Sequence, residues 1–349
     1  MSRKLRLTKF RDVSLDDPFF DSLKTGYEEF PRWFTSKADE DLYVVDDGTR
    51  LSGMLYLKRE DGPVTDIEPN LPDRAWLKVG TLKIVGKGTK LGERVLKKVF
   101  DTAISLSVDG IYVTVFEVHS KLIKLFKRYG FVKYAEKTTT NGTEQVLVRS
   151  LTDFTGHIVR DYPFIHTTGK CAWLLAVYPE YHSRLLPDSI LNNEPIEIIQ
   201  DVSHTNTIHK IYIGKLSLSR MAPGDAVIIY RTSDGLAPAR YRSVATSVCV
   251  VEEVRKKKDF ATADDYVAYC KPHSVFSEKE LRQQFATSPR LYVAKMTYNA
   301  AFNRRTTRGS LMDDAGVSEQ PRWDFRKLTP QQFRTILALG RVNARLVVD

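Results

Sequence analysis

Trp76-Leu77-Lys78-Val79-Gly80-Thr81-Leu82-Lys83-Ile84-Val85 runs, after one residue, into Lys87-Gly88-Thr89-Lys90-Leu91-Gly92 and then into Glu93-Arg94-Val95-Leu96. The first stretch has the alternating faces of a strand. The second is a basic, glycine-bearing turn. In the third, Leu91, Val95, Leu96, Val99, Phe100 and Ala103 recur at helical spacing. A strand feeding a turn and a helix makes an anion site, because the first N–H groups of the helix have no partner inside it and the helix dipole adds positive potential. Gly88 and Gly92 would let the backbone approach a pyrophosphate, and Lys87 and Lys90 add charge. The spacing is neither that of the nucleoside-triphosphate P-loop nor that of the three-glycine dinucleotide fingerprint.

Upstream, Leu42–Val45 and Gly53–Leu57 read as strands joined through Asp46-Asp47-Gly48. Downstream, Asp109-Gly110 closes the helical unit and Ile111–Phe116, β-branched and aromatic, reads as a buried strand. A second amphipathic helix carries Leu122, Ile123, Leu125 and Phe126 and stops at Gly130, a residue suited to a left-handed cap. Phe131–Ala135 and Glu144–Arg149 then form two strands around Asn141-Gly142.

This order, with Leu125-Phe126-Lys127-Arg128-Tyr129-Gly130-Phe131 after the second helix, resembles the GNAT family of N-acetyltransferases over roughly residues 40 to 150. The family's loop reads Arg/Gln-x-x-Gly-x-Gly/Ala, and its later helix ends in Leu-Tyr-x-Lys-x-Gly-Phe. The resemblance implies a mixed sheet splayed near its middle, flanked by helices, with acetyl-CoA as cofactor inserted at the splay. Ile84 and Val85 would hold the pantetheine arm, Lys87, Gly88, Thr89, Lys90, Leu91 and Gly92 the phosphates, and Phe126 would lie at the cofactor. Lys90 stands where the family has a glycine, and Phe126 where it often has the tyrosine that protonates the departing thiolate. His119 falls where the family commonly has asparagine. It is read either as a helix N-terminal residue bonded to backbone or as the substitute proton donor, with Glu117 and Tyr129 as further candidates. Cysteines and serines show no nucleophile motif.

After Leu151 the pattern changes to short strands with turn signals: 172–178, 208–213, 226–231, 243–254 and 291–296. Met221-Ala222-Pro223-Gly224-Asp225 is a tight turn before one of them, and Thr329-Pro330 opens a terminal helix. This half resembles the PUA-like superfamily, including ASCH and EVE domains, and implies a small β-barrel that binds RNA or modified bases. The predicted architecture is therefore α+β, with an acetyltransferase domain over residues 1–153 and a PUA-like domain over 154–349. Cations and rings suited to phosphates and bases are His204, Lys210, Lys215, Arg220, Arg231 and Arg242, beside His209, Tyr230, Arg240 and Tyr241. Arg255–Lys258 and Arg304–Arg308 are further basic runs.

The 349 residues carry a net charge of +10, split between 26 basic and 22 acidic residues up to Ser150 and 27 and 21 after it. Basicity spread over both halves favours encounter with polyanions: RNA, DNA or the coenzyme's phosphates. Three cysteines without metal spacing point to reduced thiols, no metal site and a cytoplasmic setting. No apolar run reaches membrane length, and oligomeric state has no sequence signature here. The functional expectation is an acetyl-CoA-dependent N-acetyltransferase whose PUA-like domain recruits an amine associated with RNA or another nucleic acid. The alternatives are a non-catalytic nucleic-acid reader and a protein or small-amine acetyltransferase.

Overall fold

The computed structural model describes residues 4–46, 50–85, 91–186, 207–320 and 322–349. The chain divides into two compact units, Met1–Arg160 and Asp161–Asp349.

The first unit contains β1 (Lys4–Lys9), α1 (Asp21–Gly26), α2 (Phe30–Ser36), β2 (Asp41–Asp46), β3 (Leu51–Val64), β4 (Leu71–Ile84), α3 (Leu91–Ser105), β5 (Gly110–Phe116), α4 (Ser120–Arg128), β6 (Val132–Thr139) and β7 (Gly142–Ser150). Its strands lie in the order β1-β2-β3-β4-β5-β7-β6, every neighbouring pair antiparallel except β4 and β5. A parallel pair needs a crossover, and α3 supplies it. The apolar stripe of α3 is buried from Leu91 to Ile104. Gly92 lies in its first turn because a Cβ there would come within 2.9 Å of Leu125 Cδ2 on α4. Gly110 opens β5 for a similar reason: a Cβ would fall 2.3 Å from the Trp76 ring. Helix α4 gives way at Gly130, whose φ of +83° is open to glycine but costly to a side chain. The first forty residues add an aromatic cluster, in which Phe10 lies 4.9 Å from Phe34 and 5.3 Å from Tyr56 between ring centres.

The second unit contains β8 (Ile165–His166), β9 (Ala172–Val177), α5 (Pro179–Leu185), β10 (His209–Gly214), β11 (Ala226–Arg231), α6 (Ala239–Arg242), β12 (Val244–Lys256), α7 (Ala263–Cys270), α8 (Glu278–Thr287), β13 (Tyr292–Thr307), α9 (Arg308–Asp313), β14 (Phe325–Leu328), α10 (Pro330–Leu339) and β15 (Val347–Val348). Six strands pair in the order β10-β13-β12-β11-β9-β14, while β8 and β15 form a small ladder of their own. Among the described residues this is an open mixed sheet rather than a closed barrel. Its ladder ends at β10 on one side and at the four-residue β14 on the other.

The turn before β11 shows how sequence dictates this core. Pro223 and Gly224 occupy its central positions, Gly224 at φ +90°, and the Asp225 N–H donates to the Ala222 carbonyl at 3.0 Å. The buried Asp225 carboxylate then accepts from Ala222 N–H (3.0 Å), Cys171 N–H (3.0 Å) and Trp173 Nε1–H (2.8 Å). It thereby ties β9 to the turn that launches β11. Helix α10 begins with the expected Thr329 cap, paired reciprocally with Gln332.

Candidate active site

Strands β4 and β5 pair only over Trp76–Val79 and Gly110–Val113. Both continue: β4 to Ile84, still bonded to β3, and β5 to Phe116, still bonded to β7. Beyond Val79 the two strands part, so the β5-facing edge of Gly80–Ile84 has no strand partner among the described residues. A cavity of about 380 Å³ opens at the parting, lined by Gly80, Thr81 and Leu82 of β4 and by Val113 to Phe116 of β5. The edge is exposed at Gly80 and half-buried from Thr81 to Ile84, and an extended amide-bearing chain laid along it would pair with its open backbone donors and acceptors.

The cavity wall has an aromatic side and an acidic side. Tyr27, Phe30 and Trp33 reach it from the helical segment, and Tyr56 and Phe116 from the sheet. Tyr27 packs on Phe116 with ring centres 5.5 Å apart. Its hydroxyl donates to Glu144 Oε1 at 3.1 Å. Glu144 is 7% exposed and is the register partner of Phe116, the last residue of β5. Burial, followed by the Glu144 charge and hydrogen bond, raises the Tyr27 phenol well above its ordinary range, so it stays a donor. The lysines on the wall have carboxylates of their own: Lys37 with Glu40 (2.7 Å), Lys58 with Glu60 (3.0 Å), Lys78 with Glu60 (3.8 Å) and Lys137 with Asp66. Glu144 has no ion-pair partner among the described residues, and its one side-chain partner is neutral. A buried carboxylate held only by a phenol can bind an ammonium and receive its proton. Glu144 was legible in the sequence only as a strand residue. Alternation gives its face, but not the cavity that face meets.

His119 lines the same cavity. It sits at the N-cap of α4 and its side chain makes no capping bond there; the backbone bonds of the turn run through its N–H to Phe116 and its carbonyl to Leu122 and Ile123. Glu117 is exposed beside it and accepts from Gln145 Nε2 at 3.2 Å. Tyr129 is instead fully buried under Phe100, and Phe126 is fully buried 4.8 Å from Phe131. Both rings serve the core behind the cavity rather than its wall. Ile84 pairs with Gly53, and Val85 is half exposed with its N–H donated to Ser52 at 2.8 Å. Leu91 is buried at the start of α3 and Gly92 follows it. Lys87, Gly88, Thr89 and Lys90 lie outside the described residues.

In the second unit the cations expected to meet phosphates separate sharply. Lys210 is fully buried, with Nζ 5.7 Å from the centre of the Tyr298 ring, and Arg231 is buried at the end of β11. Burial takes both off any nucleic-acid surface. Arg242 is clamped to Asp234 by Nε and Nη2, and Arg240 to Asp313 at 2.6 Å. His209 is buried against Glu252, which also pairs with Lys295 at 2.9 Å. Arg220 is exposed and stacks 5.0 Å above Trp173. Lys215 is exposed on the wall of a second cavity. His204 lies outside the described residues. Burial raises the thiols of Cys249 and Cys270 to about 12, which keeps them protonated and unreactive. Among the described residues no three His, Cys, Asp or Glu side chains are grouped to hold a metal, and no helix is long and apolar enough to cross a membrane.

No family model matches the chain, and no curated protein matches its sequence. Solved structures do resemble it in part. The ASCH protein from Zymomonas mobilis is 11% identical, covers 48% of this chain and 94% of its own, and has a TM-score of 0.34. AAC(6')-Ib in complex with paromomycin and acetyl-CoA is 12% identical over 43% of this chain and 94% of its own, with a TM-score of 0.32. The structure described as histone acetyltransferase HPA2 and related acetyltransferase, from Corynebacterium glutamicum, is 15% identical over 43% and 97%, with a TM-score of 0.30. The structural neighbours thus include acetyltransferases and an ASCH domain.

Proposed function

We propose that the first unit is an acetyl-CoA-dependent N-acetyltransferase and that the second unit brings it an amine associated with RNA or another nucleic acid. The observation that carries this reading is the parting of β4 from β5, which sets an unpaired strand edge across a cavity from an acidic residue without a cation. The residues fit the coenzyme's amide-bearing arm, since Gly80–Ile84 offer an open strand edge to a second extended chain. Acetyl-CoA, when bound, supplies an acyl group already activated as a thioester. The protein's own part is then mainly orientation. Glu144 receives a proton from the acceptor ammonium and leaves a neutral amine facing the β4 edge. That nitrogen forms the new C–N bond as the C–S bond breaks. The second proton that the nitrogen gives up in forming the amide balances the one that the departing thiolate would take up. His119, on the same cavity with no side-chain bond to the helix it caps, is our choice for delivering that proton, with Glu117 its exposed neighbour.

Calorimetry with acetyl-CoA, followed by incubation of labelled acetyl-CoA with total cellular RNA and protein, tests the reading. We expect saturable binding and label in a macromolecular fraction. Absence of binding would remove the enzyme reading and leave a nucleic-acid reader. His119→Ala should lower turnover by about tenfold or more and change the pH–rate profile. An unshifted profile removes His119 from proton transfer.

A further inference from the structure

The second unit holds a cavity of about 860 Å³, within the roughly 300–1,000 Å³ typical of small-ligand sites. Six aromatic side chains line it: Tyr178, Tyr181, Tyr212, Tyr230, Phe276 and Trp323. They are not one packed cluster closed on itself. Tyr178 is 67% exposed at the end of β9, whereas Tyr230 and Trp323 are buried with ring centres 5.5 Å apart. The cavity therefore grades from a wet aromatic edge to a dry aromatic floor.

Cations surround the floor. Arg308 lies 4.6 Å from the centre of the Trp323 ring and Arg326 lies 4.8 Å from it. Arg326 bonds the Ser318 carbonyl and hydroxyl, and the pair of guanidinium groups crowds one indole. Burial and the Arg308 charge together lower the pKa of Arg326. Arg322 and Lys215 are exposed on the cavity wall, and no ion pair engages either among the described residues. Among the described residues the single carboxylate on the wall is Asp324.

We propose that this cavity seats one unstacked, phosphorylated nucleoside, its base among the tyrosines and its phosphate on Arg308, Arg322 and Lys215. Aromatic faces supply the stacking that an unpaired base loses on leaving its neighbours. Guanidinium and ammonium groups without carboxylate partners supply the phosphate contacts. Asp324 accepts hydrogen bonds from a base edge that presents N–H donors, as the N1–H and N2–H of guanine do side by side. This inference rests on the reading of the second unit as the recruiting module. It adds that recruitment goes through one nucleotide and not through backbone charge alone. The ligand chemistry is shared by free nucleotides and by exposed residues of single-stranded RNA or DNA.

The test uses the full chain and four probes: guanosine monophosphate, a guanine-containing single-stranded RNA octamer, its DNA counterpart, and the RNA octamer annealed into a duplex. Tryptophan fluorescence and calorimetry report binding. At least one unpaired probe should bind tenfold or more tightly than the duplex, and guanosine monophosphate should compete for the same site. Tyr178→Ala, at an exposed position where folding is not at risk, should weaken that binding at least tenfold, and Arg322→Ala should do so as well. Preference for the RNA octamer, the DNA octamer or the free nucleotide identifies the source. Equal binding of duplex and single strand, or unchanged affinity in both variants, overturns the pocket while leaving recruitment by charge intact. Failure of every probe to bind removes the recruiting reading together with the pocket.

Discussion

Among the described residues each unit contains one parallel strand pair within its main sheet, and the two pairs are treated in opposite ways. In the second unit β9 and β11 match over all six residues, from Ala172 with Ala226 to Val177 with Arg231. In the first, β4 and β5 match over four and then separate. The chemistry of the strands explains the difference. Ala226–Arg231 is buried along its whole length, and its neighbours on both sides are mostly aliphatic, so zipping is favoured throughout. Beyond Val79, β4 reads Gly-Thr-Leu-Lys-Ile and is only partly buried; its Lys83 turns away to the Phe19 carbonyl and to Ser22. A parallel pair is closed where both strands are apolar enough to be covered, and left open where one is not. The closed pair ties its unit together, whereas the open pair leaves a cavity between its strands.

The comparison can be broken first at the open pair. Glu144→Gln keeps the volume and the Tyr27 contact but removes the proton acceptor. Acetyl transfer should fall by about 100-fold or more while acetyl-CoA affinity stays within about twofold. Steady-state rates and calorimetry on the same preparation measure both. A variant as fast as the parent would show that the opening has another purpose.

At the closed pair the matching change is Asp225→Ala. It strands two backbone N–H groups and the Trp173 indole N–H in a buried setting, each a cost of about 1–3 kcal/mol if no water enters. We expect the second unit to lose about 3–5 kcal/mol in urea unfolding followed by tryptophan fluorescence. A loss below about 1 kcal/mol would mean that β9 and β11 hold without the clasp.

A smaller, graded test uses pH. His182 on α5 is buried, bonds Thr246 Oγ1 at 2.8 Å, and is pushed down to about 3 by burial and by the charges of Arg231 and Arg305. The folded state therefore stays unprotonated where the unfolded chain, near pH 6.5, takes up a proton. The contribution is fully present above pH 6.5 and is lost as pH falls towards 3, at no more than about 1.4 kcal/mol per pH unit. Urea midpoints for the second unit should decline between pH 7 and 5 in the parent, and less in His182→Asn. Parallel slopes would assign the acid sensitivity elsewhere.

Much of the first unit was legible because its elements have strong local signals. The stripe of α3, the Gly130 cap and the β-branched run of β5 all stand at or within a residue or two of their predicted places. The parting of the strands was legible only through the family resemblance, since residues on both sides of it read simply as strand. Residues 4–36 gave no expectation, because α1 and α2 are short and their cohesion comes from aromatic contacts distant in sequence. In the second unit α7 and α8 went unread between the strands. Lys210 and Arg231 misled for one reason: a charged residue in a strand reads as surface, but a strand covered on both faces has no surface side. Tyr129 misled because its hydroxyl suggested chemistry, while its place just before Gly130 turned the ring inward.

The Asp225 clasp has a bearing on motion. The amides of Cys171 and Ala222 belong to connecting loops, where exchange with solvent deuterium is ordinarily quick. Here both donate to a carboxylate that is itself buried in the unit's main core. Breaking these bonds strips a buried carboxylate of its partners, so we expect both amides to exchange more slowly than other loop amides of the unit. A connection that looks peripheral in the chain is in this way bonded to a carboxylate of the core it joins.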